Sequence, residues 1–134
     1  MANTTFTGPV RSENGFEDVT KNATTGAFTS NASYGKAIRG GVQSLSGAGA
    51  VDLDNLITEL TTTGANALTL ADGSTSGQIK IVNMIVDGGD GTLTPTTFAN
   101  GTTITFDAVG ESATLVWNST VGWVATSTVG ATIA

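Results

Sequence analysis

The chain has no cysteine, no histidine and only two prolines in 134 residues. Without cysteine there is no disulfide frame, no thiolate nucleophile and no Cys-ligated zinc, so the fold must rest on burial, backbone pairing or self-association. Without histidine the commonest general base and the commonest transition-metal ligand are both missing, and a non-enzyme that uses no cofactor is the expectation. Charge is scarce as well: 12% of residues are Asp, Glu, Lys or Arg, and the formal net charge is −6. That balance opposes binding to a phosphate backbone, where affinity comes from clustered Lys and Arg, so nucleic acid is not expected as a partner. No run approaches the roughly 18 apolar residues of a membrane span, and "MANTTFTGPV" lacks the basic and apolar regions of a signal peptide. A soluble, unsecreted protein with no membrane partner is expected.

What fills the chain instead is Thr, Ser, Gly, Ala and Asn. That texture favours β structure with polar, uncharged surfaces of the kind that commonly meet other proteins. Charge and pattern divide the chain in two. Residues 1–41 carry four basic and three acidic residues, net +1, whereas Lys80 stands alone against eight acids in residues 42–134, net −7. In the first part the apolar residues Phe6, Val10, Phe16, Val19, Phe28, Tyr34 and Ile38 are scattered singly, with neither period 2 nor period 3.6 sustained. The expectation for 1–41 is an extended N-terminal arm whose widely spaced aromatics either anchor in a partner's pockets or pack on their own domain.

Residues 42–134 are expected to form a compact β domain. "GGVQSLSGAGAV" is Gly-rich without the Lys and Ser/Thr of a phosphate loop, and reads as a hinge. Strand patterns follow at "AVDL", "LITELTTT", "NALTLADG", "GQIKIVNMIV", "GTLTPT", "TTITFDA", "SATLVWN" and "GWVATST". The longest puts Ile79, Ile81, Asn83 and Ile85 on one face and Lys80, Val82, Met84 and Val86 on the other, as a central strand would. Pro95 argues that "GTLTPT" is an edge or a strand end. In "TFDAVGESATLVWN" the turn Val109-Gly110-Glu111 is read as the bend of a hairpin, with Ile104, Phe106, Leu115, Trp117 and Trp123 supplying the core. About eight short strands at this spacing predict an all-β fold, jelly-roll-like or a small β-sandwich or barrel.

The acidic constellations are weak. Asp87 and Asp90 in "DGGDGT" could offer oxygens to Ca²⁺, but the loop supplies too few ligands for a full shell, and its glycines are what a turn between strands needs. Asp52 and Asp54 in "VDLDNL" share a face if extended; without a pocket, a solvated strand face is the better reading of the pair than a catalytic couple.

Taken together, "TTFTGPVRSENGF" near the N-terminus and "GQIKIVNMIVDGGDGTLTP" with "GTTITFDAVGESATLVWNSTVGWV" near the C-terminus resemble the small proteins that decorate or cement the heads of tailed bacteriophages, especially those of marine bacteria and cyanobacteria. The resemblance is one of texture and order over most of the chain. It implies a virion structural protein on the outer surface of the capsid, synthesised in the host cytoplasm, with the major capsid protein as its partner. It further implies a homotrimer with a compact β domain and an arm that reaches along the shell. On this reading Phe6, Pro9, Val10, Arg11 and Phe16 contact the capsid, Arg11 pairing with a carboxylate and Phe6 and Phe16 filling pockets. The same texture occurs in tail-fibre and head-fibre components. That keeps open host attachment as the alternative, with exposed tryptophans stacking on sugars.

Overall fold

Short runs that alternate apolar with hydroxyl-bearing or small residues, punctuated by glycine, leave the backbone little choice but paired strands. The structure, a computed structural model, describes residues 16–34 and 38–134, and among them there are strands and turns but no helix. The all-β expectation is met. The chain divides into two units, Met1–Gly40 and Gly41–Ala134.

In the N-terminal unit, β1 (Phe16–Lys21), β2 (Phe28–Tyr34) and β3 (Ile38–Arg39) form an antiparallel sheet in the order β1-β2-β3. The β1–β2 turn is built on Asn22, whose Oδ1 accepts the N–H groups of Thr24 and Thr25, both at 2.9 Å. From Phe16 onward, therefore, the segment expected as an extended arm is paired into a sheet. Phe6, Pro9, Val10 and Arg11 lie outside the described residues, and Phe16 opens β1 opposite Tyr34.

The C-terminal unit holds ten strands: β4 (Val42–Ser46), β5 (Gly49–Val51), β6 (Ile57–Thr61), β7 (Asn66–Leu70), β8 (Ile79–Val86), β9 (Gly91–Pro95), β10 (Ile104–Phe106), β11 (Ser112–Asn118), β12 (Gly122–Val129) and β13 (Thr132–Ile133). They form two five-stranded sheets. Sheet I has the order β12-β11-β8-β6-β4 and sheet II the order β13-β10-β9-β7-β5. From β4 to β9 the chain alternates between the sheets, so that β4, β6 and β8 run parallel in sheet I while β5, β7 and β9 run parallel in sheet II. Parallel neighbours need a crossover, and here each crossover is a strand of the opposite sheet. The result is three stacked coils of two strands each. β10 and β13 then extend sheet II, and β11 and β12 extend sheet I, all in antiparallel pairing.

Three local expectations are corrected by this winding. "GGVQSLSGAGAV" is no hinge: it supplies β4 and β5, the first coil, because Val42, Leu45 and Val51 carry enough apolar surface for a two-strand rung. Of the two readings of "GTLTPT", the edge is corrected and the strand end holds: β9 lies at the centre of sheet II, and Pro95 is the last residue of the strand. "TFDAVGESATLVWN" is no hairpin: β10 pairs with β9 and β13, β11 pairs with β8 and β12, and residues 107–111 carry the chain from one sheet to the other. Gly110 makes that crossing possible with φ +91°, a conformation that L side chains rarely adopt.

The inward faces close on one core. Leu60, Val82, Met84, Ala113, Leu115, Trp117 and Trp123 from sheet I meet Val51, Leu68, Leu70, Leu93, Ile104 and Phe106 from sheet II, all buried. Ile104, Phe106, Leu115 and Trp123 are fully enclosed and Trp117 retains 7% exposure, so every residue expected to be core lies in it. The indoles of Trp117 and Trp123, paired across β11 and β12, meet edge to face with centroids 5.5 Å apart. Trp123 Nε1 donates to Ala71 O at 2.8 Å, which leaves its one polar atom satisfied. Gly73 lies flat against the Trp117 ring, where a Cβ would collide with it.

Candidate functional site

Four features of the C-terminal unit carry polar or exposed chemistry. The first is a buried polar cluster at the end of the sandwich where β6 and β8 begin. Lys80 points inward from β8 beside Val82 and Met84, the face that period-2 patterning gave it, and is 1% exposed. Its Nζ donates to Asp52 Oδ1 at 3.3 Å and to Asn55 O at 2.7 Å. Asp52 is held in turn: its Oδ1 accepts the Asn55 N–H at 2.9 Å and its Oδ2 accepts Asn55 Nδ2 at 2.8 Å. Gln43 joins the same loop to the sheet, donating from Nε2 to Ala50 O and accepting at Oε1 from Asp52 N and from Thr58 Oγ1. Gln78 Nε2 adds a bond to Leu53 O. The β5–β6 connection is thus pinned from β4 and from β8 with the residue that precedes it.

Burial pushes the Lys80 ammonium below its ordinary value, against the opposing charges of Asp52 and, more weakly, Asp54. Burial would raise the Asp52 carboxyl, but the two bonds from Asn55 and the charge of Lys80 outweigh it and hold Asp52 below the usual carboxylate range. Asp52 and Asp54 therefore do not share a solvated strand face. Asp52 leaves the end of β5 to become the counter-ion of Lys80, while Asp54 is exposed. The sequence signal for this pair was the isolated Lys inside an apolar strand, which cannot be buried without a partner.

The second feature is the opposite end, where Asp87, Asp90, Asp107 and Glu111 gather on the β8–β9 and β10–β11 connections. Asp87 Oδ1 accepts the Gly89 N–H at 2.8 Å and Thr62 Oγ1 accepts the Gly88 N–H at 2.9 Å, so "DGGDGT" is organised as a turn. The Glu111 charge, then desolvation, the hydrogen bond with Glu111 and the charges of Asp90 and Asp87 raise the carboxyl of the exposed Asp107 above its ordinary value.

The third is an open depression of about 410 Å³ on the rim of sheet II, lined by Thr94, Pro95, Thr96, Thr97, Phe98, Gly101 and Thr102. No titratable group lines it, although Thr97 Oγ1 donates outward to Asp72 Oδ2 at 3.1 Å.

The fourth feature is the pair of outward faces, which differ in kind. Register places Ala67, Thr92, Thr105 and Thr132 in one row across sheet II, with Ala50, Thr69 and Thr94 in the next. This face is a lattice of methyl and hydroxyl groups. On sheet I, Val42, Ile57 and Ile81 form one row, and Ile79, Val116 and Val124 a second beside it. Val42 and Ile79 are 48% and 46% exposed, and Ile85 and Val86 farther along β8 are also exposed. The single charge on this face is Glu59, in a row with Ser44 and Asn83. Trp117 and Trp123 face inward on the same strands, so neither indole is free to stack on a sugar while the unit is folded.

No family model matches the chain, and no curated protein matches it in sequence.

Proposed function

We propose that the protein is a virion structural component that decorates the head of a tailed bacteriophage, lying across junctions between major capsid subunits on the outer surface and cementing the shell. The observation that carries the reading is the pair of outward sheet faces, uncharged apart from Glu59, on a unit whose acids are gathered into the loops at its two ends. Such a unit is built to lie against protein surfaces, and the sequence resemblance supplies the kind of surface. A component that binds only the correctly assembled lattice stabilises that lattice over its alternatives by mass action. Several joined copies engage several capsid sites at once, so weak contacts gain from high effective concentration. In this reading Phe6, Pro9, Val10, Arg11 and Phe16 supply the contact with the capsid, and three copies share an axis.

The test is deletion of residues 1–16, followed by sedimentation of the truncated protein with undecorated capsids. The expected outcome is loss of binding with an unchanged thermal transition of the β unit; full occupancy by the truncated protein would refute the assignment of these contacts.

A further inference from the structure

We propose that Asn100 is a site of spontaneous deamidation through a cyclic imide, and that the isoaspartate it yields releases β13 from the edge of sheet II. The chain has two Asn-Gly steps. Asn14-Gly15 lies outside the described residues, and Asn100-Gly101 stands on the connection between β9 and β10 with both residues exposed. Asn100 Oδ1 accepts the Ala125 N–H at 2.8 Å, which polarises the side-chain carbonyl and supports the negative charge that collects on it during attack. Among the described residues the Gly101 N–H has no acceptor, so its nitrogen is open to act as the nucleophile. Glycine carries no Cβ to hinder ring closure, and nitrogen and Cγ are already joined through one residue, which makes the step intramolecular.

The chemistry balances with water alone. Hydroxide takes the Gly101 amide proton, the nitrogen bonds to Asn100 Cγ, and the Cγ–Nδ2 bond breaks; the departing nitrogen takes a proton from water, leaves as ammonia and regenerates hydroxide. Water then opens the imide. Attack at Cγ restores a normal main chain with an aspartate, whereas attack at the main-chain carbonyl carbon leaves the chain running through Cγ, an isoaspartate with one extra methylene in the backbone. Either product gains one dalton and one negative charge.

Related steps elsewhere in the C-terminal unit are closed. The Ser119 N–H, which follows Asn118, donates to Ser76 Oγ at 3.0 Å. Asp72, Asp87 and Asp90 also precede glycine, but a carboxylate is a poorer electrophile than an amide. Their glycines are engaged as well: Gly73 is packed on the Trp117 ring, the Gly88 N–H donates to Thr62 Oγ1 at 2.9 Å, and Gly91 is buried in β9.

The consequence of isoaspartate falls on β13. Gly101 lies so close to Ile133 and Ala134 that even a Cβ would collide with them. Beside it, Thr102 Oγ1 and Thr103 N donate to Ala134 O at 3.0 and 3.1 Å, and Ala134 N donates to Thr103 O at 3.1 Å. These bonds, with the pairing of Ile104 to Ile133 and Thr105 to Thr132, hold a two-residue edge strand. A methylene inserted between residues 100 and 101 displaces the donors from their acceptor, and a strand held by so few bonds opens locally at little cost.

The modification does not rest on the capsid reading. The experiment incubates the full chain in mildly alkaline buffer, as the native protein and as Asn100→Gln and Asn100→Asp. Peptide mapping with electron-transfer fragmentation locates each gain of one dalton and tells isoaspartate from aspartate, and NMR follows the cross-strand contacts of Ile104 with Ile133 and Thr105 with Thr132. The expected result is conversion at Asn100 roughly tenfold or more ahead of Asn118, with glycine leaving the ring closure unhindered. Loss of the cross-strand contacts should rise in proportion to the isoaspartate. Asn100→Gln should keep both its mass at this position and the contacts, and freshly prepared Asn100→Asp, which has the charge with a normal main chain, should keep the contacts. Absence of conversion at Asn100 in the folded chain while the urea-unfolded chain converts there would overturn the site. Isoaspartate formed with the contacts intact, or contacts already lost in fresh Asn100→Asp, would overturn its effect on β13.

Discussion

The two sheets of the C-terminal unit are alike inside and unlike outside. Inward, each contributes Leu and Val from its parallel strands and large aromatic side chains from its antiparallel strands, and the two sets are buried to the same degree. Outward, sheet I presents two rows of Ile and Val beside the row of Ser44, Glu59 and Asn83, whereas sheet II presents Thr and Ala. Folding stability constrains the inward residues, because a missing side chain there leaves a cavity. It constrains the outward ones weakly.

The shared interior gives the largest expected effect. Trp117→Ala should cost about 3–5 kcal/mol, as loss of a buried indole does, and the loss should appear in both sheets together. Chemical denaturation gives the magnitude, and hydrogen exchange shows whether β7 and β9 in sheet II lose protection along with β11. Protection lost in sheet I alone would mean that the sheets are separate cooperative units, contrary to a common core.

Next comes the pin that ties a sheet II strand end to sheet I. Asp52→Ala should cost about 3 kcal/mol, the low end for breaking a buried pair, because Lys80 is left enclosed without its counter-ion while the Asp52 side chain itself keeps 30% exposure. The same pair gives a pH dependence of known sign. A carboxyl held below its ordinary value contributes stability that is present above the unfolded pKa of about 3.9 and is lost as pH falls through the folded value. Asp107 has the opposite sign: its raised value means that protonation relieves repulsion, so its contribution improves as pH falls through the folded value. Thermal transitions recorded from pH 6 to pH 3 should therefore drop less for Asp52→Asn than for the native chain. Equal slopes would remove Asp52 from the acid response.

The outward faces give the smallest change in stability and sharpen the contrast most. Thr92→Val and Thr94→Val, on a half-buried and an exposed site of sheet II respectively, should shift stability by no more than about 0.5 kcal/mol, the usual range for surface changes. They would also make that face resemble sheet I. Chemical denaturation of the doubly substituted chain reads the shift, and a larger loss would contradict the weak constraint on outward residues.

Much of this fold was legible from the residues, and the exceptions share a cause. Period-2 alternation located β6 to β12, though not the two-residue β13, and chose Ile104, Phe106, Leu115, Trp117 and Trp123 for the interior, because a pleated strand sends alternate side chains to opposite faces. It said nothing about which strand pairs with which. A strand that ends in Phe106 and another that begins at Ser112 read the same whether residues 107–111 bend back within a sheet or cross to its partner. For that reason an inter-sheet crossing looked like a hairpin, and three parallel coils looked like a jelly roll. The first coil was only half seen, "AVDL" overlapping β5 while β4 was missed, because β4 is short and set among the five glycines from 40 to 64, so composition outweighed pattern. Lys80 was placed on its correct face, but its partner was hidden by sequence distance: Asp52 is 28 residues away and only the parallel register of β6 and β8 brings their ends together. The contrast between the outward faces appears only once five strands are laid side by side, since each strand alone shows two or three outward residues.

The most direct test of the functional reading is the copy number of this protein relative to the major capsid subunit in purified virions, by quantitative mass spectrometry with isotope-labelled peptides. Decoration of the head predicts a ratio comparable to that of a shell component, constant from particle to particle. A handful of copies per particle would place the protein in the tail or a fibre, and its absence from the particle would contradict the reading altogether.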